Sequence, residues 1–222
     1  MQRNRMMFWG MALYGSLALA LAQVEPRGEN PAIRVNTLLG STGLITVPTS
    51  TTTRVGRFQL GTAFGHNVRT VSLNWGVFEG IEVGGTVVDR TNADNKVIAT
   101  AKVTIIPQNF DWLELGFGTI DPFDAIEQTA YGIASVNVRV PTEGGEKAVR
   151  LRLHLGYGTG MFRQKLIGGA EVFLDKHFSA IVEYNGVDTN AALRYVHDES
   201  LRLQLGTQAK VIYFSATYGL SF

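Results

Sequence analysis

From residue 57 onward the sequence keeps to one pattern: apolar and polar residues alternate one for one over short stretches, which then break at a turn. In "VRLRLHLGYG" Val149, Leu151, Leu153, Leu155 and Tyr157 form one series, while Arg150, Arg152 and His154 form the other. In "VIYFSATYGLSF" Ile212, Phe214, Ala216, Tyr218, Leu220 and Phe222 oppose Tyr213, Ser215, Thr217, Gly219 and Ser221. A period of two belongs to a strand with one greasy and one polar face, and no segment holds a 3.6-residue period, so the chain is predicted to be all-β. Twelve such segments can be counted, at 57–64, 69–78, 81–89, 96–106, 112–120, 130–140, 148–158, 165–174, 178–185, 190–196, 201–206 and 211–222. Glu79-Gly80, Gly144-Gly145 and Asn185-Gly186 supply turn chemistry between them.

A soluble β-sandwich also alternates. Two features favour a sheet closed on itself in a membrane. Strand after strand carries no charge on its apolar face, and the last strand would be a bare edge unless it paired with the first. Most segments have the length of a tilted strand crossing a bilayer, and twelve is even, as in bacterial single-chain barrels. The fold expected is a closed antiparallel transmembrane β-barrel of about twelve strands, with aromatics such as Trp75, Tyr131, Phe162 and Tyr213 in interfacial girdles. Tyr218, Leu220 and Phe222 are expected to serve as the assembly signal read by the barrel-assembly machinery. Longer loops are expected at 89–95 and 121–129.

Ahead of the barrel, residues 1–22 read as a signal peptide: Arg3 and Arg5, an uncharged stretch, then Ala20-Leu21-Ala22 with cleavage after Ala22. A membrane-spanning anchor is the alternative. Residues 23–56 form an irregular leader, periplasmic or lumenal, with at most one short strand at Leu44-Ile45-Thr46-Val47. The barrel takes 57–222. Of 20 Lys and Arg, losing Arg3 and Arg5 leaves 18 against 19 Asp and Glu, so net charge suggests no nucleic-acid partner. There is no cysteine, hence no disulfide and no thiolate metal site or nucleophile. No spacing of metal ligands or cofactor motif stands out, so no cofactor is expected.

With the apolar series facing lipid, the polar series lines a lumen. That series holds Glu82, Lys102, Glu114, Arg139, Arg150, Arg152, His154, Glu171, Glu183, Arg194 and Arg202 as candidate lumen residues, with Lys96 as a further cation. Charges in a poorly hydrated interior should pair, giving a bracing lattice or a modestly cationic path for a solute. Catalysis by His154, or by His197 with Asp198, is a third possibility, since triads cannot be read from spacing.

Two stretches carry a family resemblance. "GSTGLITVPTSTTTRVGRFQLG", residues 40–61, and "AEVFLDKHFSAIVEYNGVDTNAALRY", residues 170–195, resemble motifs of the YjbH-like family of outer-membrane barrels associated with exopolysaccharide and capsule production. The resemblance implies a transport or secretion accessory barrel in the bacterial outer membrane, with outer-membrane lipid and polysaccharide or secretion components as partners. Within the second stretch, Glu183 and Arg194 are a candidate cross-strand ion pair. The other classes left open are an outer-membrane hydrolase and a soluble secreted β-sandwich that binds a ligand.

Overall fold

The computed structural model describes residues 23–25, 34–65, 68–91, 93–141, 148–198 and 200–221. The expected signal peptide, Phe222 and the Gly144-Gly145 turn lie outside them. The strands are β1 (Gln23–Glu25), β2 (Arg57–Phe64), β3 (Val68–Phe78), β4 (Ile81–Arg90), β5 (Ala93–Ile105), β6 (Leu113–Ile120), β7 (Thr129–Pro141), β8 (Ala148–Gly158), β9 (Lys165–Phe173), β10 (Phe178–Tyr184), β11 (Thr189–Val196), β12 (Leu201–Gln208) and β13 (Val211–Ser221). One 3-10 turn, Gly160–Phe162, is the single helical element among the described residues.

From β2 to β13 each strand pairs antiparallel with the next, and β13 returns to β2 with Tyr218 opposite Leu60 and Ser221 opposite Arg57. That pairing closes a twelve-stranded barrel and leaves no open edge in the ring. The short β1 extends the ring's rim: it pairs with β7 at Gln23↔Arg139 to Glu25↔Asn137, just past the point where β6 ends at Leu113↔Val136.

The alternation places the two faces. Val71, Leu73, Val97, Leu155, Leu193, Leu205 and Ile212 point outward and are exposed, while Ser72, Asn74, Thr100, Arg152, Arg194 and Gln204 point inward and are buried. The barrel is thus apolar outside and polar inside, the inverse of a water-soluble domain.

Two expectations are corrected by the backbone. Residues 89–95 are not a long loop, because β4 runs to Arg90 and β5 starts at Ala93, with Arg90 opposite Ala93. Polar side chains mark where a strand leaves the apolar belt, not where its hydrogen-bonded pairing stops. Leu44-Ile45-Thr46-Val47 is a turn, not a strand: the Leu44 N–H donates to the Val47 carbonyl at 2.9 Å. Its residues are apolar because they are buried in the bore, with Leu44, Ile45 and Val47 all at 0% exposure. The loop at 121–129 is long, and Asp121 organises it by accepting from the N–H groups of Ala125, Ile126 and Glu127 at 2.9, 2.5 and 2.9 Å.

The leader from Arg34 to Thr53 therefore runs inside the barrel, where nearly every residue is buried. Two apolar clusters hold it. Val47 packs among Val88, Ile98, Ile120, Tyr131, Ile133, Phe162 and Ile167, and Leu44 and Ile45 pack among Ile181, Ala192 and Tyr213. Tyr131, Phe162 and Tyr213 are thus inside the barrel rather than in an interfacial girdle, since the leader gives the bore an apolar surface to cover. Wall glycines make room for it: a Cβ on Gly116 would stand 2.6 Å from Ser50 Cα, and one on Gly169 would stand 2.7 Å from Leu44 Cδ1.

Candidate functional site

The leader and the inward side chains meet in a continuous polar lattice. Glu82 and Lys102 are register partners on β4 and β5 and form a buried ion pair at 3.6 Å. Glu82 also receives the N–H groups of Thr42 and Thr53 at 3.0 and 2.8 Å, with the hydroxyls of Ser41, Thr42 and Thr53 around it. Lys102 donates back to the Thr42 carbonyl at 2.7 Å. One wall pair thus clamps two separated points of the leader.

Glu114 on β6 pairs with Arg152 on β8 at 2.7 Å, spanning β7, and receives the Ser50 hydroxyl at 3.1 Å. Arg152 also donates to Thr51 Oγ1 at 2.8 Å. Glu171 on β9 pairs with Arg194 on β11 at 2.9 Å and accepts from Ser179 on the strand between at 2.6 Å. The other guanidinium nitrogen of Arg194 donates to the Gly43 and Leu44 carbonyls at 3.0 and 3.1 Å.

Glu183 is held differently. Its carboxylate accepts from the consecutive N–H groups of Ile45, Thr46 and Val47 at 2.8, 2.9 and 3.1 Å, from Thr46 Oγ1 at 2.6 Å and from Asn190 Nδ2 at 2.9 Å. Successive backbone N–H groups in a turn form a concave anion site, and a wall carboxylate fills it here. The expected Glu183–Arg194 pair does not form. Glu183 stands opposite Asn190 and Arg194 opposite Ser179, so the hairpin separates them along the strands.

Of the candidate lumen residues, Glu82, Lys102, Glu114, Arg152, His154, Glu171, Glu183, Arg194 and Arg202 are buried inside. Arg139 and Arg150 are not: they face each other in register near the open ends of β7 and β8 and are exposed, as is Lys96. Near the rim a lumen-facing position is already in water, so charge there need not join the lattice. Tyr218 is exposed on the outer face and Leu220 is half-buried.

His154 lies in the bore, whereas His177 and His197 flank Tyr195 at the β11–β12 end of the barrel. His154 Nδ1 lies 2.7 Å from Ser135 Oγ, beneath the leader, where the Ser50 N–H also reaches that hydroxyl at 3.4 Å. His197 sits in the β11–β12 turn with Nδ1 3.3 Å from the Tyr195 hydroxyl. Its neighbour Asp198 is a turn clasp, accepting from the Ser200 and Leu201 N–H groups at 2.8 and 2.9 Å and from the Ser200 hydroxyl at 2.7 Å. Those bonds, the hydroxyl first, hold its carboxyl down to about 2. A carboxyl proton titration by NMR should therefore place Asp198 near pH 2. Because the folded value is depressed, the turn gains from Asp198 above the ordinary aspartate range near pH ~3.9 and loses that gain as pH falls through about 2. A midpoint near ~3.9 would mean that the clasp is absent in solution.

Nothing in the spacing of the leader marks its polar anchors. Their one sequence signal is the uncharged hydroxyl run "TSTTT", Thr49 to Thr53, which cannot form a core by itself yet matches a lumen full of carboxylates.

Fold and lattice together define a plugged β-barrel: a closed ring whose bore is filled by its own leader and braced by buried ion pairs. No protein-family model matches the sequence, and no curated protein matches it. Among solved structures, the KdgM porin is similar at a TM-score of 0.47 and 11% identity, over 75% of this chain and 99% of that one. The KdgM porin in complex with disordered oligogalacturonate gives 0.45 and 12%, over 75% and 99%. The N-terminal β-barrel domain of Pseudomonas aeruginosa OprF gives 0.25 and 8%, over 75% and 98%.

Proposed function

We propose that the chain is a bacterial outer-membrane barrel acting in transport or secretion, non-enzymatic, and closed at rest by its leader. The observation that carries this reading is the pairing of an unbroken ring having an apolar exterior with a bore whose wall charges grip residues 34–53. In water such an exterior would aggregate, whereas in a bilayer it is the surface that contacts outer-membrane lipid. The similarity of residues 40–61 and 170–195 to the YjbH-like family supports exopolysaccharide export as the process served. The catalytic alternative is disfavoured at His154 because Ser135 and His154 are 1% and 5% exposed and lie under the leader.

In cells, the protein should fractionate with outer membranes, migrate in a heat-modifiable way in detergent, and on deletion reduce surface exopolysaccharide. Recovery in the soluble periplasm would overturn the membrane reading, and unchanged exopolysaccharide would overturn the process assigned.

A further inference from the structure

The leader does not fill the barrel to both rims. Above its tip, at the end carrying the β2–β3, β8–β9, β10–β11 and β12–β13 turns, lies a cavity of about 250 Å³. This is slightly below the ~300–1,000 Å³ of ordinary ligand pockets, so it suits a small molecule. Leu38 and Leu39 of the leader, Met161 and Phe162 of the 3-10 turn, and Val88 and Tyr213 of the wall give it an apolar floor. At the rim stands Arg90, exposed, and no ion pair of Arg90 is present among the described residues. The Asn185 amide on the same rim is already committed, accepting from the Val187 and Asp188 N–H groups at 3.0 and 2.8 Å and donating to Thr46 Oγ1 at 3.2 Å.

We propose that this cavity binds a small amphipathic anion: a short apolar chain seated on the floor, with one carboxylate turned to Arg90. The floor sets the first half of that description. A sugar is held best by an open aromatic face, which the cavity does not offer, and beyond Arg90, Asn185 and Thr46 its polar lining is only the Thr70 hydroxyl and the Gln208 amide. Phe162 is 2% exposed and packs edge-on against Tyr131 at 6.4 Å, and Tyr213 is 2% exposed with its hydroxyl bonded to Gln204. An apolar recess open to water gains by taking up an apolar group. Arg90 sets the second half, since a guanidinium at the mouth of an apolar recess favours a planar carboxylate by charge and by shape. The proposal requires only the folded barrel, and it stands whether or not the barrel conducts.

Met161 lines the cavity and is the only methionine after Met11, which gives a local probe. The full protein is labelled with [methyl-13C]methionine in lipid nanodiscs, and the Met161 signal is assigned by its loss in Met161→Leu. Hexanoate should shift that signal saturably, hexanol should do so several-fold more weakly, and galacturonate should not shift it. Arg90→Gln should bring hexanoate down to the level of hexanol, and Ala63→Phe, which fills the cavity from β2, should abolish the hexanoate shift while heat-modifiable migration persists. If Ala63→Phe does not assemble, Arg90→Gln on the exposed rim carries the test. No saturable shift with hexanoate, an equal shift with galacturonate, an undiminished shift in folded Ala63→Phe, or no effect of Arg90→Gln would each overturn the proposal.

Discussion

Glu183→Ala should undock the leader from the barrel while leaving the barrel assembled. The substitution takes the acceptor from three consecutive buried N–H groups, those of Ile45, Thr46 and Val47, and from the Thr46 hydroxyl and the Asn190 amide. Each buried donor left without an acceptor costs about 1–3 kcal/mol, so the loss is on the order of 3–6 kcal/mol after partial rescue by water. The ring itself is hydrogen-bonded strand to strand and does not depend on this carboxylate, so the loss falls on leader docking. Limited proteolysis should therefore cut within residues 34–53 of Glu183→Ala under conditions where the parent resists, with heat-modifiable migration retained. Glu183→Gln, which keeps an acceptor but turns an NH2 toward the donors, should fall between the two. Equal resistance of parent and Glu183→Ala would show that Glu183 does not anchor the leader.

The Glu171–Arg194 pair should behave as a buried ion pair, costly to halve and cheaper to remove whole. Arg194 is 0% exposed and also holds the Gly43 and Leu44 carbonyls and Gln204 Oε1. Glu171→Leu takes the Glu171 carboxylate from this buried guanidinium, at about 3–5 kcal/mol. Arg194→Met leaves Glu171 with the Ser179 hydroxyl and should cost a similar amount. The double variant Glu171→Leu/Arg194→Met removes both charges and replaces them with apolar volume. Its cost should fall short of the sum of the singles by about 2 kcal/mol or more. Urea unfolding from lipid vesicles measures all three, and strict additivity would show that the two charges do not interact.

The period-two alternation makes the barrel legible because a closed sheet between lipid and a polar bore imposes the same constraint on every strand. β2 and β8 begin and end where the alternation does, and Glu82, Lys102, Glu114, Arg152, Glu171 and Glu183 fall inward on it. What alternation cannot supply is partner and depth. It states which face a side chain takes but not the offset between strands, which is why Glu183 meets the leader and Arg194 meets Glu171. Nor does it separate the mid-bore position of Arg152 from the rim position of Arg150, two residues away on the same face. Ile98, Ile133 and Ile181 look misplaced on a polar face until the leader is inside, where they pack against or beside Val47, Leu44 and Ile45. The leader itself is unreadable by periodicity because it has none. It is folded by its surroundings, one N–H and one hydroxyl at a time.

Whether the leader seals a membrane-spanning barrel is read most directly by single-channel recording in planar bilayers. The intact chain should insert without opening an ohmic channel, and a variant lacking residues 34–53 should conduct steadily, since the charged wall would then line a water-filled bore. Steady conductance from the intact chain equal to that of the shortened one would contradict the seal.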